Sequence, residues 1–276
     1  MIQVHCLVDN SARRSSQFWA EHGLSFHLET PGGRVLFDTG QSGQVLLHNA
    51  GQLGIDLHQI DALALSHAHY DHTGGLEHFL AHSRPGIPLY AHPDLFRERY
   101  AQRADEYDPI GMRLSRADLE QHVTLSLSAD PVEILPGVWT TGEIAERPEF
   151  EGRSEAHRIR VDGQWQPDPY RDDFSLVLEV EDGVVVLCGC CHAGLLNTLK
   201  HVRRVFRRDI MAVAGGMHLA SATDEMLHRT IDALRTTYGT PRLYPGHCTG
   251  ERAYVALTQA FGERVQSCPA GTLLTF

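Results

Sequence analysis

The stretch SHAHYDHTGGL, residues 66–76, follows directly on the short apolar run DALALS and leads into GGLEHFLAHSR, whose apolar spacing is helical. It therefore reads as a strand, a histidine-bearing loop and a helix. His67, His69, Asp71 and His72 place four potential metal ligands within six residues. In an extended or turning segment, histidines at i and i+2 can point to one ion, while Asp71 and His72 reach a second a few ångströms away. Imidazole nitrogen mixed with carboxylate oxygen suits Zn²⁺ first, with Mn²⁺ or Fe²⁺ as alternatives. Two divalent ions are the expected cofactors.

On either side, the pattern alternates between strand and helix. Upstream, IQVHCLV, LSFHLET and RVLFDTG read as strands, the last two joined by a PGG turn, and GQVLLHNAGQLGI reads as a helix. Downstream of GIPLYAH, a strand, the periodicity weakens between about residues 93 and 170. DLFRERYAQRADEYDPIG is expected to be helical there, and RPEFEGRSEAHRIRVDGQWQPDPYRDD irregular, so the stretch reads as a variable covering insertion. Regular structure resumes with the hairpin FSLVLEV and VVVLCGC, followed by alternating helices and strands to the terminal strand GTLLTF. The expected architecture is α/β (α+β), a single domain over 1–276 with two mixed sheets packed together, helices outside, and the site along one edge at strand ends.

The 276-residue chain is 42% hydrophobic and 21% charged, which favours a folded globular protein over a disordered one. A net charge of −11 argues against a broad nucleic-acid surface. HVRRVFRR, at 201–208, reads as a solvated helix end whose cations complement the helix dipole. The opening MIQVHCLVDN has no signal-peptide pattern, and no apolar run reaches the ~20 residues needed to cross a bilayer. A cytoplasmic location with no membrane partner is expected. In that setting Cys6, Cys188, Cys190, Cys191, Cys248 and Cys268 are better read as reduced thiols than as three bridges.

The HxHxDH spacing followed by glycine resembles the metallo-β-lactamase superfamily, which implies a four-layer αββα sandwich. By that resemblance, Asp38 in LFDTG falls at a buried aspartate near the metals, and His247 in PGHCTG at the last histidine ligand. GCCHAGLLNT, GGMHL, PGHCTG and TGEIAERP further resemble the group of dihydropterin ribofuranosyl-aminobenzene phosphate synthase-like metal-dependent hydrolases. The chain departs from the wider superfamily at two places. TTGE puts Glu143 where a TPGH-like turn usually carries histidine, and GCCH stands where a glycine–aspartate pair is usual. His192 is accordingly inferred as a ligand from the later strand end. Cys190 either replaces the bridging carboxylate or lines the site, and Glu143 is a candidate ligand or general base.

The resemblance thus implies one ion on His67, His69 and His192 and another on Asp71, His72 and His247. The reaction expected is attack of metal-bound hydroxide on an ester or phosphoester-type small molecule. Asp71 would move the proton, and His218 in GGMHL would contact substrate or support the site. Two other readings are a synthase-like transferase releasing diphosphate and a catalytically idle ligand sensor that contains metal. The remaining histidines considered, His22 among them, are assigned to surface or core.

Overall fold

In the computed structural model, residues 1–152 and 156–276 are described. Arg153, Ser154 and Glu155, within the expected covering insertion, lie outside them. The strands β1 (Gln3–Val8), β2 (Ser25–Thr30) and β3 (Gly33–Phe37) form an antiparallel meander. Next come α1 (Gln44–Leu53), β4 (Ala62–Ala64), the one-turn α2 (Tyr70–Thr73), α3 (Leu76–His82) and β5 (Ile87–Ala91). The middle of the chain holds β6 (Arg99–Arg103), β7 (Glu106–Pro109), α4 (Arg116–Glu120), β8 (Val123–Leu127), β9 (Glu133–Leu135) and β10 (Val138–Thr140). It continues through β11 (His157–Val161), β12 (Gln164–Pro167), β13 (Ser175–Val180), β14 (Gly183–Cys188) and α5 (Leu195–Phe206). The chain closes with β15 (Ile210–Gly216), α6 (Asp224–Thr236), β16 (Arg242–Gly246), α7 (Glu251–Phe261) and β17 (Leu273–Thr275).

Two mixed sheets result. One has the order β17-β1-β2-β3-β4-β5-β8 and the other β16-β15-β14-β13-β10-β9. Strand alternation sorts their side chains into layers. On β14, Val185 and Leu187 join Phe26, Phe37 and Ala214 between the sheets, whereas Val184, Val186 and Cys188 face Leu199, Leu227 and Leu257 of α5, α6 and α7. The first sheet packs its other face, including Leu36 and Leu63, on Leu46 of α1, Phe79 of α3 and Leu119 of α4. The result is the αββα order. Among the described residues, no helix is long and apolar enough to cross a membrane.

The middle of the chain corrects one expectation. DLFRERYAQRADEYDPIG is not a helix: β6 and β7 form a hairpin that turns at Ala104, a residue with φ of 53°. β6 also pairs with β11, and β11 with β12, in a third sheet of four strands, ordered β12-β11-β6-β7. Helical residues alone cannot reveal partners about 55 positions away, and those partners overrule the local propensity. Trp165 of β12 stacks on Tyr107 with ring centroids 3.9 Å apart, covering one face of this sheet. β8, β9 and β10, though within 93–170, belong to the main sheets.

A strap before the undescribed residues lies on the start of α5. The Leu196 amide donates to the Glu151 carboxylate, and Asn197 accepts from the Glu149 amide. Burial lifts the Glu151 pKa from 4.5 to about 7 against the pull of that amide. A carboxyl raised in the folded state stabilises it fully below the unfolded pKa, and that contribution is lost as pH rises through the folded one. Between pH 5 and 8, the melting temperature of Glu151→Gln is therefore expected to fall by about 5 °C less than that of the wild type, read by calorimetry. Parallel pH profiles for the two proteins would refute this.

Candidate metal centre

Each histidine of interest sits just beyond the end of a parallel strand. His67 and His69 follow β4, with Asp71 and His72 on α2; His192 follows β14, His218 follows β15, and His247 follows β16. The backbone is bent there to aim them. Asp38, Cys191, His218 and His247 all have positive φ, between 48° and 60°. Strain of this kind persists where the surrounding structure over-determines it. Gly215, with φ of +104°, lets β15 approach β14 so closely that a Cβ would lie 2.1 Å from the Cys188 carbonyl oxygen.

A buried carboxylate organises the donors. Asp38 Oδ1 accepts the Ser66 amide at 2.7 Å, and Oδ2 accepts both the Ser66 hydroxyl and His72 Nδ1 at 2.7 Å. Because the Ser66 hydroxyl proton goes to Asp38, its oxygen accepts from His67 Nδ1 at 2.8 Å. The hydrogen-bond network therefore assigns the protons of His67 and His72 to Nδ1 and turns their Nε2 lone pairs inward. Asn10 Oδ1, oriented by the Gly23 amide, does the same for His247 by accepting its Nδ1 at 2.9 Å.

These lone pairs converge. His67 Nε2 lies 3.2 Å from His192 Nε2, and His72 Nε2 lies 3.2 Å from His247 Nε2. Asp71 Oδ2 is 3.3 Å from His247 Nε2 and 3.6 Å from His72 Nε2. Cys190 Sγ is 3.5 Å from His72 Nε2 and groups with His67 and His72 within ligand reach. His67, His69 and His192 form another such group, in which the buried His69 Nε2 and His192 Nδ1 have no hydrogen-bond partner among the described residues. Imidazole nitrogens facing each other at hydrogen-bond distance must share either a proton or a metal ion. The donor set therefore fits divalent metals.

The electrostatics agree. Burial, aided by neighbouring imidazoles and only partly countered by Asp71, drives His67 and His69 well below the usual histidine pKa; burial and neighbouring histidines do the same to His192. They are thus held in the neutral form that ligates. Burial also disfavours charge on His72, but Asp71 and Asp38 outweigh it and lift it to about 9. Burial alone would raise Asp71, yet His72 and His247 hold its carboxyl well below the usual range. Burial pushes the Cys190 thiol up, so a bound cation would be needed to make it a thiolate.

The other expected residues land as follows. Cys188 packs on the helix side of β14. The His218 ring is 4.4 Å from that of His192, and its side chain groups with Cys190 and Cys248. Glu143 faces away from these groups: Arg171 grips both of its oxygens at 3.0 Å, and His92 Nε2 is 3.4 Å away. Two site neighbours escaped the sequence reading. Half-exposed His22 places Nε2 3.3 Å from Asp71 Oδ2, and Asn10 Nδ2 approaches its Nδ1 at 3.4 Å. From the third sheet, His157 puts its ring 5.1 Å from that of His69 and bonds the Tyr170 hydroxyl at 2.8 Å, while Tyr170 stacks on His192 at 4.5 Å. Neither histidine stands in a local motif.

The family profile described as the Metallo-beta-lactamase superfamily matches residues 19–192. The chain belongs to this superfamily. Along its whole length it is 32% identical to the 7,8-dihydropterin-6-methyl-4-(beta-D-ribofuranosyl)-aminobenzene-5'-phosphate synthase of Methanocaldococcus jannaschii, 97% of which is covered. The crystal structure of a metal-dependent hydrolase of the beta-lactamase superfamily is 28% identical, with a TM-score of 0.86 over 100% of this chain and 99% of that one. Zn²⁺-bound PqqB from Methylobacterium extorquens shares the fold at 12% identity, with a TM-score of 0.58 over 99% and 100% of the two chains. Members of the metallo-beta-lactamase superfamily bind divalent metals, and candidate groups for such binding are present here.

Removing the shared carboxylate tests the network directly. Asp38→Ala leaves buried His72 and Ser66 without their acceptor and should lower the unfolding free energy by about 3–5 kcal/mol, measured by urea denaturation. An unchanged midpoint and slope would show that Asp38 does not organise the centre.

Proposed function

We propose that this chain is a metal-dependent hydrolase acting on an ester or phosphoester-type small molecule at a dinuclear centre. The observation that carries the reading is the convergence of two imidazole pairs, each at 3.2 Å between Nε2 atoms, with Cys190 within ligand reach of one imidazole from each pair. His67, His69 and His192 would hold one ion; Asp71, His72 and His247 the other, with Cys190 between them. Zn²⁺ suits this nitrogen-, sulfur- and oxygen-containing set best, ahead of Mn²⁺ or Fe²⁺. When bound, such ions polarise the bond under attack and make water a competent nucleophile at neutral pH.

The chain's own groups supply the rest. Asp71, held between His72 and His247, is placed to accept a proton from water and pass it to the leaving group. His22 and Asn10 flank it on the solvent side, where His22 Nε2 can donate to Asp71 Oδ2 and keep that carboxylate turned inward. His218 and Tyr170 pack against His192 on the other flank, where His218 would meet substrate. A second reading is favoured by the full-length identity to the pterin-related synthase. There the same centre would hold a diphosphate leaving group and a phosphorylated aromatic amine, so both readings place phosphate at the metals.

Protein purified without added metal should carry about two metal equivalents by elemental analysis; under half an equivalent would sink the dinuclear centre. Turnover of bis(p-nitrophenyl) phosphate should drop by at least about 10²-fold in His69→Ala and Asp71→Ala, and unchanged rates would refute their roles. Diphosphate release from a dihydropterin-6-ylmethyl diphosphate donor that depends on the phosphorylated aromatic amine, with no phosphodiester hydrolysis, would select the transferase. Tight small-molecule binding without either reaction would select a sensor.

A further inference from the structure

Arg99, on β6 of the third sheet, has a side chain only 1% exposed, yet it is charged. Its Nε lies 2.8 Å from Asp168 Oδ2, and one terminal nitrogen donates to Asp172 Oδ1 at 2.6 Å. The other terminal nitrogen donates to the carbonyls of Asp94 and Arg97 at 3.2 and 3.3 Å. Both terminal nitrogens are thus hydrogen-bonded, while Nε meets Asp168 as an ion pair without hydrogen-bond geometry. What the guanidinium grips leads straight to the candidate ligands. Asp172 Oδ2 accepts the amide of Ala68, the residue between His67 and His69, at 2.9 Å. The next residue, Asp173, accepts the amide of Ala193, adjacent to His192, at 2.8 Å, and the Phe174 amide donates to the Ser66 carbonyl at 3.1 Å.

A second line runs from the same residue. The Arg99 carbonyl accepts the Ile110 amide at 2.9 Å, and the Ile110 carbonyl accepts the Tyr70 amide at 2.9 Å, beyond His69. The loop 66–70 is thus held on both sides of His69 by groups tied to one buried residue, before His69 through the Arg99 guanidinium and Asp172, and beyond it through the Arg99 main-chain carbonyl and Ile110. Stability alone explains this poorly, because a buried ion pair contributes little net stability compared with apolar residues of similar volume. Its distinctive property is planar, forked geometry, which fixes two carboxylates relative to each other.

We propose that Arg99 is a positioning residue: through Asp172 it sets the spacing of the His67–His69 loop against His192, so the third sheet forms part of the metal centre rather than a cover over it. The inference rests on the metal-binding reading above. Arg99→Lys keeps a cation but loses the fork, and Asp172→Asn keeps an acceptor for the Ala68 amide while weakening the grip on Arg99. Arg103→Ala, on the same strand with its side chain 76% exposed, is the control.

Co²⁺ titration of the metal-free proteins, followed by visible absorption, reads the geometry directly. Arg99→Lys and Asp172→Asn are expected to bind the first equivalent about 10–100-fold more weakly and to show a shifted d–d spectrum, with kcat reduced and KM little changed. Arg103→Ala should match the wild type. Asp172→Asn keeps the test decisive if Arg99→Lys does not fold. Folded variants with wild-type Co²⁺ affinity and spectrum, whatever their melting temperature, would overturn the role of Arg99 alone. A wild type that takes up no Co²⁺ would overturn the metal reading and this proposal together.

Discussion

The Asp38 carboxylate, fully buried between the sheets' strand ends, is the constraint on which the centre depends. It accepts from Ser66 twice and from His72 once, and through the Ser66 hydroxyl it reaches His67. One group therefore sets the proton positions of two imidazoles, one from each of the facing pairs. Burying a carboxylate is costly unless such partners surround it. Here the partners are the residues that the site needs oriented, so satisfying Asp38 and aiming the donors are the same event.

The fold provides the platform for that arrangement. In the αββα order, apolar residues of β14 alternate between the inter-sheet core and the helix layer, and the parallel strands β4, β14, β15 and β16 end at the histidine loops. The strands are held by packing, whereas the residues beyond them are bent into left-handed backbone at Asp38, Cys191, His218 and His247. Rigid strands carrying strained tips confine the donors to a small volume. Asp172 and Asp173 add a link between the first and second halves of the chain, holding amides next to His69 and His192.

Much of this was legible locally. The HxHxDH run at 67–72 could be read as a candidate site because its potential ligands are close in sequence, and His192 and His247 as further candidates because each follows a strand in a glycine-containing turn. Short continuous apolar runs on either side of a DG turn marked β13 and β14 for the same reason. The reading broke down where the deciding partner was distant. The β6–β7 hairpin looks helical until β11 is beside it. His22 stands in no ligand-spaced motif and reaches Asp71 only in the fold, and His157 reaches His69 only because its strand is carried there. Glu143, promising by its position in the chain, is turned to Arg171.

By itself, then, the sequence determined the superfamily, the alternation of strands and helices, and the residue types able to bind metal. The superfamily follows from the resemblance of short motifs to those of known proteins, and the other two from short-range periodicity and spacing, which a linear chain displays openly. Tertiary structure alone decided which nitrogen His67, His72 and His247 present, that Cys190 lies within ligand reach of one imidazole from each pair, and that Arg99 is buried and tied to the loop carrying His67 and His69. Those facts depend on hydrogen bonds between residues far apart in the chain, such as His72 with His247 and Arg99 with Asp172. For LCGCCHAG, residues 187–194, this distinction matters most. Its three cysteines look alike in sequence, but strand alternation sends Cys188 into the helix layer, while Cys190, beyond the strand end, faces His72.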